Sequence, residues 1–171
     1  MSNAVSYQIR RAGIEDAEQL ARLRFDFRTE RLTAVENRSE FLDRCRSWME
    51  TRLLPTSAWH CWTAALGPDL IGTLWMQLIE KLPNPGEEEE LHGYVSSVYV
   101  IPPHRNAGIG GALIDACLME CERAGVDSVF LWSTPGSRPL YQRKGFAARD
   151  DLLDRRSVAA GPGPGVEPGA L

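Results

Sequence analysis

The chain has 171 residues and a formal net charge of −4 at pH 7; 25% of its residues are charged and 43% are hydrophobic. This balance is typical of a globular protein, and the length suits one domain with a sizeable core. The acidic charge balance argues against a general binder of nucleic-acid phosphates, and no apolar run of roughly 20 residues predicts a membrane span.

The N-terminal part of the chain predicts one strand and two helices. It lacks the apolar segment of a signal peptide, which favours a cytoplasmic location. A short strand is expected over residues 7–10, and apolar residues at helical spacing predict a helix from Asp16 to about Leu32. A second helical pattern covers residues 39–54 and ends before Pro55.

The middle of the chain predicts antiparallel strands. Residues 59–66 and 70–82 are rich in aromatic and β-branched residues and flank a Gly-Pro-Asp turn, so they predict a hairpin. Residues 83–90, which end in four glutamates, are expected to form a loop. Residues 94–101 follow with the clearest strand pattern in the chain.

The C-terminal part predicts a helix between two strands. Apolar spacing predicts a helix that begins at Gly108 and ends before Gly125, and a strand is expected over residues 126–132. A strand, helix and strand in this order indicate that the two strands are parallel neighbours. A short helix is predicted over residues 139–144, and residues 146–149 are expected to start a last strand.

The four cysteines are expected to be reduced and buried. Cys117 and Cys121 would lie one helical turn apart, a spacing that could suit a metal, but no C-x-x-C or His-x-x-x-His motif accompanies them. No metal site is therefore predicted. Both side chains are expected to face the sheet, which makes them poor nucleophiles. The remaining two cysteines are Cys45 and Cys61.

The segment 100–111 joins a strand end, a loop and a glycine-rich helix start. The first amides of a helix have no intrahelical acceptor and lie at the positive end of its dipole, so small residues there allow a phosphate to approach. A P-loop would need Gly-Lys-Ser/Thr, and a dinucleotide fingerprint would need glycine in place of Leu113. The remaining pattern is Arg-x-x-Gly-x-Gly at Arg105, Gly108 and Gly110.

This pattern after a β-strand resembles the coenzyme A motif of GNAT-type N-acetyltransferases. The segment 140–146, Leu-Tyr-Gln-Arg-Lys-Gly-Phe, resembles the Leu-Tyr-x-x-x-Gly-Phe segment that closes the core of the same family. The resemblance covers roughly residues 7–151. It implies an α/β (α+β) fold with a mixed, largely antiparallel central sheet and helices on both faces. A single GNAT-like domain is expected over residues 1–157, and the Gly/Pro-rich tail over 158–171 is predicted to be disordered.

The resemblance also implies which residues bind acetyl-coenzyme A. The main chain of Val98 and Val100 would bind the pantetheine arm, although ordinary core packing is the other interpretation of these two residues. Thr134 stands where many relatives carry an asparagine that contacts the pantetheine, and Ser137 is nearby. The pyrophosphate would be bound by backbone amides of Arg105, Asn106, Ala107, Gly108, Ile109, Gly110 and Gly111.

Tyr141 is the predicted catalytic residue, because it stands where the family often has a tyrosine that protonates the departing coenzyme A thiolate. A half-buried packing tyrosine is the alternative interpretation. The group that accepts the amine proton stays open. Tyr94 stands where many relatives carry a glutamate, and a tyrosine with a pKa of about 10 is a poor base at neutral pH. The candidates are His92, Glu80 and water.

The implied activity is transfer of an acetyl group from acetyl-coenzyme A to a primary amine of a small molecule or peptide. The amine would attack directly, without a covalent acyl-enzyme. A non-catalytic acyl-coenzyme A sensor of the same fold is the alternative, because the acidic residue is missing at Tyr94. An acyltransferase for longer acyl groups would differ only in the depth of its pocket.

The acceptor and the oligomeric state are not identified by the sequence. In this family the first helical region lines the acceptor pocket, but here it fits an ordinary amphipathic helix face equally well. Glu87 to Glu90 could attract a cationic amine, or they could form a solvated loop. A homodimer is an open alternative, since dimers are common in proteins that this chain resembles. The helical residues concerned are Arg24, Phe25, Phe27 and Glu30.

Overall fold

Five strands and four helices form the part of the chain that the structure describes, residues 6–30, 32–34, 36–86 and 90–155 of a computed structural model. Residues up to Leu131 form one compact unit, and residues from Trp132 onward form a second. In chain order the elements are β1 (Gln8–Arg11), α1 (Ala17–Thr29), α2 (Arg38–Arg52), β2 (Trp59–Leu66), β3 (Asp69–Glu80), β4 (Leu91–Val100), α3 (Ile109–Arg123), β5 (Ser128–Phe130) and α4 (Arg138–Arg143).

The sheet of the first unit has the strand order β1-β2-β3-β4-β5. Its first four strands are antiparallel neighbours, whereas β4 and β5 are parallel. A two-residue turn, Gly67-Pro68, joins β2 to β3, and Leu66 pairs with Asp69 on either side of it. The predicted hairpin, the parallel pair around α3 and the mixed, largely antiparallel sheet are confirmed.

Helices cover both faces of the sheet. Trp75 of β3 belongs to a buried cluster with Leu20 of α1 and Met49 of α2. The sulfur of the next residue, Met76, lies 3.6 Å from the sulfur of Cys117 and 3.2 Å from that of Cys121, both on α3. Because consecutive strand residues point to opposite faces, α1 and α2 cover one face and α3 covers the other.

The start of α1 is tied to the edge strand β1. Both carboxylate oxygens of Asp16 accept hydrogen bonds from the Arg10 guanidinium, at 2.7 and 2.8 Å, and one also accepts from the Gly13 amide at 2.9 Å. Asp16 is buried, yet the hydrogen bond from Arg10 holds the pKa of its carboxyl below the usual range. This contact fixes the start of α1, the helix that carries Arg24.

The structure differs from the sequence-based expectation at several boundaries. Strand β4 begins at Leu91, earlier than expected, and β5 covers only Ser128–Phe130. The predicted strand over residues 146–149 was wrong, since these residues have no regular structure. Two alanines follow Phe146, and alanine is depleted in strands. The predicted disordered tail and Glu87 to Glu89 lie outside the described residues.

The remaining expectations concern membrane spans and the end of the domain. None of their helices combines the length and the apolar character needed to cross a membrane. The boundary of the predicted single domain at residue 157 stays a prediction, because residues 156–171 are not described.

Candidate active site

The loop before α3 presents a row of backbone amides. A single turn of 3-10 helix, Pro102–His104, leads from β4 into the loop, where Asn106 and Gly108 adopt positive φ angles of 62° and 80°. The Ala112 amide makes the first hydrogen bond of the helix, to the Gly108 carbonyl at 3.0 Å. The amides of Ile109, Gly110 and Gly111 come before this bond and therefore have no intrahelical acceptor.

The same loop leaves room for a ligand at Gly108. A Cβ atom added to Gly108 would meet no atom within 4 Å, so the backbone here borders open space. The amides at the α3 start lie at the positive end of the helix dipole, which favours an anion. These features fit the pyrophosphate of a nucleotide-containing ligand such as coenzyme A.

The side chain of Arg105 binds protein groups and braces the loop. Its Nη2 donates to Glu30 Oε1 at 2.5 Å, and its Nε donates to the Val100 carbonyl at 2.8 Å. The guanidinium carbon also lies 5.5 Å from the ring centre of Tyr99. The expected contribution of Arg105 came from its backbone amide, and the structure adds a positioning role for its side chain.

Tyr99 completes this brace from the end of β4. Its hydroxyl donates to the same Glu30 oxygen at 2.8 Å, and its ring lies 5.2 Å from the ring of Phe27 on α1. Burial, together with the hydrogen bond to the Glu30 carboxylate, raises the pKa of Tyr99 to about 12. Tyr99 is therefore a neutral hydrogen-bond donor at physiological pH. Sequence reasoning missed this role because Glu30 is distant in the chain.

A β-bulge interrupts β4 at the first of the predicted pantetheine contacts. Thr73 pairs with Tyr99, and Trp75 pairs with Ser96, so Leu74 faces two residues of β4, Ser97 and Val98. Ser97 has a φ angle of 54°, which a non-glycine residue seldom adopts. The bulge was not predicted from the sequence. Its one local signal is the pair of small serines inside a strand of aromatic and β-branched residues.

The peptide groups of Val98, the second residue of the bulge, and of Val100 lie on the edge of β4 that faces away from β3. The Ile101 amide donates to the Ile71 carbonyl of β3 at 3.0 Å, and peptide groups alternate between the two sides of a strand. On the other side, β5 pairs with β4 only at His92, Gly93 and Tyr94. The structure thus brings the backbone of Val98 and Val100 and the 105–111 loop to the same end of β4.

The second unit carries the remaining predicted residues. Tyr141 lies in α4, its ring 5.8 Å from the ring of Phe146, and burial raises its pKa above the ordinary value. Thr134 and Ser137 form the turn before α4, where their hydroxyl oxygens are 3.0 Å apart and the Thr134 amide donates to Ser137 Oγ at 2.9 Å. Both hydroxyls are therefore engaged in their own turn.

The sheet register separates the candidate bases. His92 pairs with Ile79 and Tyr94 pairs with Gln77, whereas Glu80 pairs with Leu91. Because alternate residues share a face, His92 and Tyr94 lie on one face and Glu80 lies on the other, where it is exposed at the strand end. The expectation that His92 and Tyr94 share a face agrees with this register, and it disfavours Glu80.

The two aromatic groups on that face differ in their surroundings. The Nδ1 atom of His92 is buried and has no hydrogen-bond partner among the described residues. The ring of Tyr94 stacks on that of Phe130 at 5.4 Å, and burial raises the pKa of its hydroxyl. Tyr94 is therefore an even poorer base at neutral pH than an ordinary tyrosine.

The α3 cysteines are unsuited to nucleophilic catalysis. Both thiols are buried against Met76, and the hydrogen bond to Cys121 together with burial raises the pKa of Cys117. A thiol with a raised pKa holds little of the reactive thiolate. The hydrogen bond with Cys117 lowers the pKa of Cys121, but the Cys121 sulfur is buried 3.2 Å from that of Met76, where a substrate has no access. Within residues 6–30, 32–34, 36–86 and 90–155, no cluster of three or more His, Cys, Asp or Glu side chains could hold a metal ion.

Comparisons with known proteins bear on the family and the fold. The model of the acetyltransferase (GNAT) family matches residues 18–146. The mycothiol acetyltransferase of Kineococcus radiotolerans is 39% identical over 80 residues, which are 45% of this chain and 25% of that protein. The chain thus spans about a quarter of the length of this relative.

Solved structures share the fold over nearly the whole chain. A structure described as a predicted acetyltransferase with acetyl-CoA, from Clostridium acetobutylicum, has a TM-score of 0.73 at 19% identity and covers 88% of this chain and 96% of its own. A GCN5-related N-acetyltransferase from Ralstonia eutropha JMP134 has a TM-score of 0.70 at 25% identity and covers 88% of this chain and 99% of its own.

Proposed function

Since the chain belongs to the acetyltransferase (GNAT) family, whose members are acyltransferases that use acetyl-coenzyme A, we propose that it acetylates a primary amine of a small molecule or peptide by direct attack. The observation that carries the proposal is the junction of two binding elements at one end of β4. Three amides without intrahelical acceptors begin α3, and the backbone edge at Val98 and Val100 lies beside them. A cytoplasmic location stays a prediction.

Each part of this junction suits one part of acetyl-coenzyme A. The amides of Ile109, Gly110 and Gly111 would bind pyrophosphate oxygens, and the edge of β4 would bind the amide groups of the pantetheine arm as an added strand does. The Val100 carbonyl already accepts from Arg105, so the amide hydrogen of Val100 is the group we assign to the ligand. Thr134 and Ser137 remain proposed contacts through the turn that they form.

The chemistry requires two proton transfers. The amine nitrogen loses a proton and forms a bond to the acetyl carbon, while the carbon–sulfur bond breaks and the sulfur gains a proton. We assign the second transfer to the Tyr141 hydroxyl, on the resemblance of residues 140–146 to the family pattern. Burial raises the pKa of Tyr141, which keeps the phenol protonated at neutral pH. His92 or water would accept the amine proton, and Glu80, on the other face, is not proposed.

The test is Tyr141→Phe, with release of coenzyme A thiol measured on polyamines, amino acids, aminoglycosides and peptide N-termini. We expect kcat to fall about 100-fold, with the KM for acetyl-coenzyme A within about 3-fold of the original, because only proton donation is lost. Because burial raises the pKa of Tyr141 above the ordinary tyrosine value, deprotonation of Tyr141 should cause no loss of kcat near neutral pH.

The matched control is Tyr7→Phe, since Tyr7 precedes β1 at the opposite edge of the sheet from β5. Its kcat should stay unchanged. A kcat for Tyr141→Phe equal to that of the original protein would remove Tyr141 from the mechanism. Tight binding of coenzyme A without turnover on any amine would contradict the proposed activity.

A further inference from the structure

A positive charge occupies the buried side of α1. The residues of this helix that face the core recur at helical spacing, at Ala17, Leu20, Ala21 and Phe27, and Arg24 lies on the same stripe. An apolar residue is expected at such a position, because moving a guanidinium out of water costs free energy unless other groups compensate. The Arg24 guanidinium therefore requires polar or negatively charged groups nearby.

Protein groups compensate this charge only in part. Arg24 Nη1 donates to Ser97 Oγ at 2.8 Å, and its guanidinium carbon lies 5.8 Å from the ring centre of Phe27. Among the described residues Arg24 forms no salt bridge with a carboxylate. A guanidinium has five N–H donors, so most of its hydrogen-bonding capacity is not used by Ser97.

Among the described residues, the groups around Arg24 do not supply a negative charge at neutral pH. Burial, together with the like charge of Arg28 one helical turn away, lowers the pKa of Arg24. The remaining groups that influence it are the thiol of Cys45 on α2 and the phenol of Tyr94 on β4, and burial raises the pKa of both. The site is thus a half-buried pair of cations that an oxyanion would stabilise.

Arg24 contacts the segment of β4 next to the proposed pantetheine site. Its partner Ser97 is in the bulge of β4 and directly precedes Val98, which we assign to the pantetheine arm. We propose that the Arg24 guanidinium binds an oxyanion of the acceptor, so that the amine acetylated by this enzyme carries a carboxylate or a phosphate. This inference rests on the proposed acetyl transfer and narrows its substrate class.

The experiment compares matched amines that differ in one anionic group. The pairs are phenylalanine against phenylalaninamide and phosphoethanolamine against ethanolamine, with kcat/KM corrected for the fraction of unprotonated amine. The original protein should prefer the anionic member of at least one pair by about 10-fold or more, and the preferred pair identifies the source as carboxylate or phosphate. No preference in either pair would overturn the proposal.

Three variants separate ligand binding from support of the bulge. Arg24→Gln should lower kcat/KM for the preferred anionic amine about 10- to 100-fold and change the uncharged amine less than about 3-fold. Arg24→Lys keeps the charge without the planar fork and should recover part of the loss. Arg22→Gln removes an exposed arginine of the same helix and should leave the preference unchanged. An equal loss for both members of a pair in Arg24→Gln would show a merely structural role.

A binding measurement keeps this proposal distinct from the proposed function. If coenzyme A binds but no amine is acetylated, the proposed function fails. Calorimetric titration of phenylalanine and phosphoethanolamine into protein loaded with coenzyme A then decides the present proposal. Binding to the original protein that is lost in Arg24→Gln supports it, and absence of binding to the original protein overturns it. If Arg24→Gln does not fold, the preference of the original protein and Arg24→Lys still give the answer.

Discussion

At the scale of single residues, Arg105 acts on the proposed coenzyme A site through its side-chain partners. The guanidinium binds Glu30 of the first helical region and the carbonyl of Val100, while Tyr99 donates to the same Glu30 oxygen. Side-chain exposure is 41% for Arg105 and 31% for Glu30, so this pair adds little to global stability. We expect the pair to hold the loop in a fixed position relative to the end of β4.

Arg105→Met tests this brace, because methionine keeps a long apolar stem without the donors. We expect the Kd for coenzyme A to rise about 10-fold, as the loop amides lose their alignment, while the free energy of unfolding falls by less than about 1 kcal/mol. Both can be measured by titration calorimetry and urea unfolding. The control is Arg123→Met, since Arg123 also forms an exposed ion pair, with Glu120, near the far end of α3. Equal affinities of the two variants for coenzyme A would contradict the role of the brace.

At the scale of elements, the site arises where two elements depart from regular geometry. Strand β4 bulges at Ser97 and continues to Val100 beyond its pairing with β5. Helix α3 begins only after Gly108, whose φ angle of 80° turns the chain into the helix. Both departures leave backbone groups without partners inside their own element, and these are the groups that we assign to the ligand.

Gly108→Ala tests the start of α3. A Cβ at positive φ strains the backbone by about 1–2 kcal/mol, so we expect the Kd for coenzyme A to rise about 10-fold or more as the loop relaxes. Gly125→Ala is the matched control at the other end of the same helix. Gly125 also has a positive φ, of 68°, and open space around its Cβ position. Gly125→Ala should lose similar stability but keep its affinity for coenzyme A, and a parallel loss of affinity would refute the local explanation.

At the scale of the whole molecule, the central sheet forms a core on each face. The α3 side depends on Leu113, which is fully buried, and a Cβ added to Gly72 on β3 would come within 3.4 Å of it. Leu113 also stands where a dinucleotide fingerprint would have glycine. Leu113 therefore packs α3 onto the sheet, and its presence excludes the dinucleotide fingerprint.

Leu113→Ala should lower the free energy of unfolding by about 2–5 kcal/mol, because the lost side chain leaves a cavity between α3 and β3. Urea unfolding monitored by tryptophan fluorescence measures the change. Leu82→Ala is the control, since Leu82 is 89% exposed and its loss should cost less than about 0.5 kcal/mol. A loss below 1 kcal/mol for Leu113→Ala would mean that α3 contributes little to the core.

The elements that could be predicted are those whose signals are local. Helix and strand periodicity predicted α1, α2, the hairpin and the crossover helix, because buried faces impose a spacing of apolar residues within each element. The glycine-rich start of α3 was also predictable, since its glycines are a local signal, whereas its role in phosphate binding stays a prediction. The expected last strand at 146–149 failed where one large apolar residue supplied the only signal.

The sequence by itself determined the family and the order of the elements as far as α4, because both depend on residues close together in the chain. The tertiary structure decided the register of β3 against β4, which produces the bulge at Ser97 and puts Glu80 on the face opposite His92. It also decided contacts between distant residues, such as Glu30 with Arg105 and Arg24 with Ser97, 75 and 73 positions apart. Strand register and the packing of α1 depend on interactions across the whole core, which no local pattern encodes.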